Sequence, residues 1–221
     1  MMIQSNFRHP EIAASAFPVR YPEVPVMIAS VRPCAASFYR ANEPIYAQGD
    51  AAGPLYLVEF GTVRVCRMTS DGRRQISAFH FAGEIFGFEV GGEHQSFAES
   101  VDGAGIRILR PSSGESFGPG ALSVALRGLA RAQDHLVLLG RMTATEKMAT
   151  FLLDLLDRQE SGGLLNLPMQ RNDIADYLGL TFETVSRVLR VLKDNGVVRL
   201  PRIDQIEVLD LAALEAIGEK A

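Results

Sequence analysis

Residues 169–192 read MQRNDIADYLGLTFETVSRVLRVL, and the positions of the small and apolar residues in this stretch decide how it folds. Counted from Arg171, Ala175 is the fifth residue, Gly179 the ninth and Val185 the fifteenth. A small residue is needed where two helices cross closely, a glycine suits the tight turn between them, and an apolar fifteenth residue anchors the second helix on the first. The spacing therefore predicts a helix-turn-helix.

The second helix of this motif carries the candidate reading residues. Thr181 lies where its hydroxyl can accept a hydrogen bond from the first free amides of the helix. Glu183, Ser186 and Arg187 follow at spacings of three and four residues, so they share one face. In a major groove, arginine pairs with guanine and a carboxylate accepts from cytosine amino groups, whereas on a solvated surface the same residues are an ordinary Glu–Arg pair. Predicted contacts to the DNA backbone come from Thr181, Thr184, Arg190, Lys193, Arg199 and Arg202.

The residues that follow predict a wing. Asn195-Gly196 ends the second helix, and residues 197–208 read as two short strands. The net charge of the chain is -4, which by itself argues against nucleic-acid binding. Between residues 169 and 202, however, six basic residues outnumber four acidic ones, so we expect the acidity to lie elsewhere.

The segment from Phe38 to about Leu109 has the pattern of short β-strands. Apolar and aromatic residues alternate with polar ones in four runs, and the glycines and aspartates between them suit tight turns. The runs are residues 55–60, 63–68, 75–81 and 105–109. Six to eight such strands predict a small β-roll or barrel.

A heptad stripe follows Pro119. Leu122, Leu129 and Leu136 recur every seven residues. The stripe predicts a helix that pairs two copies of the chain, although a helix packed on its own β domain would show it as well. Leu126 and Val137 lie beside the stripe and could pack on the β domain. The candidate dimer contacts are Leu122, Ala125, Leu129, Ala132, Leu136 and Leu139.

These patterns together predict an α+β chain. Prolines punctuate the first residues and indicate an extended or disordered arm. The predicted parts are the arm (1–30), a β-roll (31–118), a dimerisation helix (119–140) and a winged helix-turn-helix (141–221). A second capped helix, beginning after Thr143-Ala-Thr-Glu146, is expected to run to about Arg158.

Several kinds of chemistry find no support in the composition. Cys34 and Cys66 are too few for a disulfide framework, a four-thiolate metal site or a cysteine-ligated iron–sulfur cluster. The four histidines are separated from one another, and there is neither a nucleophile elbow nor a phosphate-binding loop. We therefore expect no catalytic residue, no metal and no cofactor. Without a signal pattern or a long apolar stretch, a cytoplasmic protein with no membrane partner is predicted.

A β-roll, a long helix and a winged helix in that order closely resemble the Crp/Fnr family of bacterial transcription regulators. Residues 75–89 and 176–187 carry the resemblance most specifically and look like the Fnr and FixK branch. The resemblance implies a homodimeric regulator, expected to be an activator, in which Glu183, Ser186 and Arg187 read a palindrome of the type TTGAT, four spacer bases, ATCAA. RNA polymerase is the implied partner, with Asp71, Arg73, Gly91 and Gly92 as candidate contacts on the loops 70–74 and 90–94.

The resemblance also bears on effectors. In cAMP binders of the family a Gly-Glu pair is followed by an Arg-Ser pair that holds the cyclic phosphate. Here Gly83-Glu84 is present, but His94-Gln95 stands at the Arg-Ser positions, so cyclic-nucleotide binding is not expected. Gln170 stands where some FixK proteins carry a redox-sensitive cysteine. The alternative hypothesis is a sensor that binds an unidentified effector in a polar pocket between the roll and the long helix.

Overall fold

A computed structural model describes residues 34–111, 119–159 and 162–218. The arm predicted for residues 1–30 lies outside the described residues. Within these residues, eight strands come first: β1 (Ala36–Tyr39), β2 (Pro44–Tyr46), β3 (Leu55–Phe60), β4 (Thr62–Met68), β5 (Arg74–Phe81), β6 (Ile85–Phe86), β7 (Phe97–Ser100) and β8 (Ala104–Leu109). The four predicted runs correspond to β3, β4, β5 and β8, each within one residue at either end.

The eight strands form two antiparallel four-stranded sheets that face each other. Their orders are β1-β8-β3-β6 and β2-β7-β4-β5. Val58, Val63 and Ile106 are completely buried between them, as expected when alternate side chains of each strand point inward. Gly61 makes the turn from β3 to β4 with φ 80°, and a Cβ there would lie 2.1 Å from a backbone oxygen of Gly103, so only glycine fits. The predicted β-roll is confirmed.

In the described part of the chain, five helices follow the β-roll. They are α1 (Pro119–Arg141), α2 (Ala144–Gln159), α3 (Arg171–Leu178), α4 (Phe182–Asp194) and α5 (Leu211–Gly218). The predicted capping box of α2 is present: the Thr143 amide donates to the Glu146 carboxylate at 2.7 Å, and the Glu146 amide donates back to the Thr143 hydroxyl at 3.4 Å. None of the helices in the described ranges is long and apolar enough to cross a membrane.

The wing has one strand more than predicted. β10 (Val198–Arg202) and β11 (Gln205–Val208) form the expected hairpin, and β9 (Leu164–Asn166) pairs with β11 on its other side. β9 has three residues and α5 eight, and neither run is long enough to show a clear hydrophobic period. Both elements were therefore absent from the prediction. We call α2 to α5 with β9 to β11 the winged-helix unit.

The β-roll and the winged-helix unit share a continuous apolar core. Cys66, Ile76 and Phe79 from β4 and β5 belong to the same buried cluster as Met148 and Leu152 from α2. The predicted apolar face of α2, which includes Phe151 and Leu155, is buried in that cluster. Strand β5 also packs directly against α3. The roll is therefore in contact with the helix-turn-helix itself.

Candidate nucleic-acid interface

The helix-turn-helix has the geometry that its spacing predicts. Gly179 ends α3 in the left-handed conformation, with φ 61° and ψ 40°, and its amide donates to the Ala175 carbonyl. Ala175 and Leu178 are buried against Val185 and Val188 of α4. A Cβ on Gly179 would lie 3.2 Å from Leu139, so the turn is also closely packed against α1. The apolar residues thus orient α4 with its polar face outward.

The polar face of α4 presents the three predicted reading residues. Glu183 and Arg187 are exposed, and Ser186 is half-buried. Glu183 accepts hydrogen bonds from its own backbone amide and from Thr181, and these lower the pKa of its carboxyl group. Arg187 donates to the Thr184 hydroxyl at 3.3 Å. Arg187 is thus held by a threonine and not by the glutamate, unlike the Glu–Arg pair that was the alternative interpretation.

The beginning of α4 is held by side-chain hydrogen bonds. The Thr181 hydroxyl accepts from the Thr184 amide at 3.3 Å, as predicted for a cap. Arg171, at the beginning of α3, donates to the Ser186 hydroxyl at 3.3 Å. The contact between Arg171 and Ser186 was not predicted, because it depends on the crossing of the two helices.

The predicted phosphate contacts fall into two groups. Arg190 and Lys193 on α4 are exposed and have no ion-pair partner within the described part of the chain. Arg199 is paired with Glu207, and Arg202 is paired with Asp204 at 3.0 Å. Asp204 and Glu207 follow Arg202 along the chain, and over residues 169–208 there are six basic and six acidic residues. The excess of positive charge over residues 169–202 therefore disappears once the whole wing is included.

Two arginines of the β-roll pair with the acidic side of α3, and one of them, Arg64, also pairs with Glu99 of the roll at 2.7 Å. Arg64 of β4 and Asp173 of α3 are both buried, and their Nη1 and Oδ2 atoms are 3.0 Å apart. Arg74 of β5 contacts Asp173 and also donates to Asp176 at 2.8 Å. These pairs were not predicted: the signal was a charged residue within an apolar strand, Val63-Arg64-Val65, but its partner lies 109 residues away.

A second buried ion pair joins the β-roll to α2. Glu84 is 5% exposed, and its Oε2 accepts from Arg158 Nη2 at 2.8 Å. Arg131 of α1 lies 3.3 Å from Oε1, and His80 Nδ1 lies 3.5 Å from Oε2. Burial acts to raise the pKa of Glu84, but the charge of Arg158, with smaller contributions from His80 and Arg131, outweighs it and lowers that pKa. Glu84 also accepts from the Phe81 amide at 3.3 Å, across the turn that follows β5.

The cavity beside Glu84 is small. It lies between β5 and α1 and encloses about 100 Å³, whereas pockets for small molecules hold roughly 300–1,000 Å³. On one side of the cavity, the Glu84 carboxylate is already hydrogen-bonded to Arg158. His94, which stands where cAMP binders carry the phosphate-holding pair, is buried and stacked on Tyr46 with ring centroids 3.7 Å apart.

The long helix α1 presents an apolar stripe to solvent. Leu122, Leu129 and Leu136 are 65%, 55% and 69% exposed. Leu126 and Val137 are exposed on the same helix, so the expectation that they pack on the β-roll is wrong: Ala121 and Val124 make that contact. Of the other predicted dimer contacts, Ala132 is exposed, Ala125 is half-buried, and Leu139 is half-buried against the core of the winged-helix unit.

The candidate polymerase contacts lie on the surface of the β-roll. Asp71, Gly91 and Gly92 are exposed, and so is Arg73, which pairs with Asp71 at 2.7 Å. Hydrogen bonds from Thr69 and Arg73 lower the pKa of Asp71 to about 2. The last residue of each predicted loop is not free: Arg74 contacts α3 and His94 is buried.

The two cysteines differ in their burial. Cys66 is completely buried, and burial raises the pKa of its thiol to about 12, so its reactive thiolate form is scarce. Cys34 is half-buried at the beginning of the roll. Gln170 is exposed at the beginning of α3. Within the described ranges, the structure contains no group of three or more residues suited to hold a metal ion.

Comparison with known proteins agrees with this architecture. Residues 36–101 match the family described as "Cyclic nucleotide-binding domain", and residues 146–217 match "Crp-like helix-turn-helix domain". The nitrogen fixation regulation protein FixK of Rhizobium meliloti (strain 1021) is 45% identical over 179 residues, which cover 81% of this chain and 85% of the relative. The fumarate and nitrate reduction regulatory protein of Vibrio cholerae is 33% identical over 67% of this chain and 64% of its own length.

A solved structure extends the comparison to three dimensions. FixK2 from Bradyrhizobium japonicum superimposes with a TM-score of 0.77 and 39% identity, covering 83% of this chain and 98% of that chain. Sequence relatives and fold therefore agree with the resemblance drawn from residues 75–89 and 176–187. The chain belongs to the Crp/Fnr family of transcription regulators, as a FixK-like member whose C-terminal unit is a Crp-like helix-turn-helix DNA-binding domain.

Proposed function

We propose that the protein is a homodimeric activator of transcription that binds a palindrome of the type TTGAT, four spacer bases, ATCAA. The observation that carries the proposal is the outward polar face of α4, where Glu183 and Arg187 are exposed beside Ser186. Arginine and carboxylate side chains on such a helix match base edges in the major groove. The regulator acts in the cytoplasm, where its DNA lies, and is not an enzyme.

Dimerisation supplies the second half-site. The exposed leucines of α1 form a strip along one side of the helix, which suits pairing with the same strip of a second copy. A symmetric pair would place two α4 helices in successive major grooves, about 34 Å apart. The palindrome then mirrors the two-fold axis of the dimer.

Activity without a cyclic nucleotide or an iron–sulfur cluster is part of the proposal. It is supported by the small cavity at Glu84, by the stacking of His94 on Tyr46, and by the two cysteines of the chain. The exposed loop residues Asp71 and Arg73 remain the candidate contacts to RNA polymerase, together with Gly91 and Gly92.

A titration of a fluorescent duplex that carries the palindrome tests the proposal. The full chain is used without added ligand, under oxidising and under reducing conditions, and a duplex with both half-sites scrambled serves as the control. We expect the palindrome to bind roughly 10³-fold or more tightly than the control, since this is the usual lower range for specific recognition. Equal affinity for the two duplexes contradicts the proposed target, and a palindrome affinity that rises on adding cAMP contradicts effector independence.

A further inference from the structure

The ion pair between Glu84 and Arg158 connects the two parts of the molecule that match separate families. Glu84 lies within the cyclic nucleotide-binding match, and Arg158 lies near the end of α2, within the helix-turn-helix match. Arg158 approaches Glu84 with two nitrogens, Nη2 at 2.8 Å and Nε at 3.2 Å. The contact is therefore the two-point guanidinium–carboxylate geometry that fixes orientation as well as distance.

The surroundings of Arg158 make the contact specific for a guanidinium. Its Nη2 also donates to the Phe79 carbonyl, and its guanidinium carbon lies 4.4 Å from the centre of the Phe81 ring. Nη1 is paired with Asp154 on the same helix at 2.9 Å. The Arg158 and Glu84 side chains are 7% and 6% exposed, so separating them would leave a buried charge without its partner.

The location of the pair relates it to control of DNA binding. The cavity that Glu84 and Arg158 line is bounded on its other side by Gly128 and Arg131 of α1. A ligand here would touch the β-roll and the long helix at once. The guanidinium of Arg158 touches the β-roll in the same place, but it is covalently part of the winged-helix unit.

We propose that Arg158 takes the place of an effector: its guanidinium, bound by Glu84, holds the winged-helix unit in the orientation that binds DNA. The inference rests on the proposed function, because it explains how a member of this family binds its site without a small molecule. Arg158 is thus a positioning residue for the reading face of α4, which it does not touch. The buried ion pair stabilises this orientation, and it is part of the protein itself. DNA binding therefore does not depend on the presence of an effector.

The first test is a double-mutant cycle on the palindrome duplex. Arg158→Ala and Glu84→Gln are each expected to weaken binding by about 5- to 150-fold, the usual range of coupling between two sites. The double variant should bind no more weakly than the weaker single variant, because both changes remove the same contact. Arg67→Ala is the matched control: it removes an exposed arginine of β4 that has no part in this ion pair and is expected to bind like the wild type.

Chemical rescue distinguishes positioning from a general loss of structure. Ethylguanidinium chloride should restore palindrome binding to Arg158→Ala, because the freed cavity and the Glu84 carboxylate can hold the ion. Sodium chloride at the same ionic strength should not restore it, nor should ethylguanidinium rescue the variant that also carries Glu84→Gln. An Arg158→Ala variant that binds like the wild type, or a loss that ethylguanidinium leaves unchanged, overturns the inference.

A measurement without DNA keeps the inference separate from the proposed target. Spin labels are attached at exposed positions of the β-roll (Ser70→Cys) and the winged-helix unit (Asp194→Cys) in a Cys34→Ser background, diluted with unlabelled chains. The distance distribution should broaden in Arg158→Ala and narrow again with ethylguanidinium. An unchanged distribution overturns the inference even if the wild type binds the palindrome. If the wild type has a narrow distance distribution but does not bind the palindrome, only the proposed function is contradicted.

Discussion

At the scale of single residues, the arginines of α4 are expected to perform different tasks. Arg187 lies one turn from Glu183 on the exposed face, while Arg190 lies three residues further along the helix and has no ion-pair partner in the described ranges. A base contact distinguishes sequences, whereas a phosphate contact attracts any duplex. The two arginines therefore offer a matched comparison.

Arg187→Ala should lose discrimination, and Arg190→Ala should lose affinity without losing discrimination. For Arg187→Ala we expect the palindrome to bind about 1–3 kcal/mol more weakly, with little change on the scrambled duplex. For Arg190→Ala we expect both duplexes to weaken together, and the dependence of log K on log salt to become shallower by about one. Anisotropy titrations at several salt concentrations measure both quantities. Equal losses on both duplexes for Arg187→Ala would show that Arg187 is not a base-reading residue.

At the scale of elements, the long helix α1 carries three exposed leucines at heptad spacing. Leu122, Leu129 and Leu136 contribute nothing to the core of a single chain while they face water. Each is expected to contribute about 1.5–3 kcal/mol when a partner covers it. The stripe should therefore determine assembly and leave the fold of the protomer unaffected.

Leu129→Asp should convert the dimer into a folded monomer. The substitution removes one apolar contact and introduces one buried charge on each side of the two-fold axis, so its effect is counted twice. Sedimentation equilibrium should give the mass of one chain, and circular dichroism should be unchanged. Leu209→Asp, which alters a leucine of similar exposure after the wing, should remain dimeric. A Leu129→Asp protein that still sediments as a dimer would show that α1 is not the seam.

The helix-turn-helix could be predicted in detail, and the pairs between its unit and the roll could not. The residues that fold α3 onto α4 lie within about fifteen positions of one another, so their spacing records their contacts. Glu84 and Arg158 are 74 residues apart, and Arg64 and Asp173 are 109 apart. Such pairs depend on how the β-roll packs against the winged-helix unit. The periodicity of residues within either part does not indicate this packing. The elements β9 and α5 were missed for a different reason, since runs this short and apolar fit several kinds of structure.

At the scale of the whole molecule, buried histidines connect stability to pH. Burial lowers the pKa of His80, which faces Glu84, with Arg158 and Arg131 nearby, and it lowers the pKa of His135, which stacks on Tyr177 and lies near Lys147. The unfolded chain takes up protons at these positions from about pH 6.5, before the folded chain does. The stability that these histidines contribute is therefore fully present above about pH 6.5 and is lost as the pH falls from there through their lowered pKa in the folded chain.

Urea unfolding at a series of pH values checks this expectation. The free energy of unfolding should begin to fall below about pH 6.5, the ordinary value of histidine, and His80→Gln with His135→Gln should reduce that slope. The pKa of Glu84 is also lowered, but its contribution is lost only below its ordinary value of 4.5, so the two effects occupy different ranges of pH. If the free energy of unfolding changes with pH above 4.5 equally in the wild type and in the double variant, the two histidines are not the cause.

The contacts of Arg64 and Arg74 with α3 have a consequence for any excised DNA-binding fragment. In the whole protein, Arg64 and Arg74 of the β-roll compensate part of the charge of Asp173 and Asp176, on the helix that precedes the reading helix. A fragment beginning after α1 would keep both carboxylates and lose both arginines. The two carboxylates would then repel nearby phosphates, most of all in dilute salt, where screening is weakest. Arg64 and Arg74 therefore affect the electrostatics of the DNA-binding unit although neither would read a base.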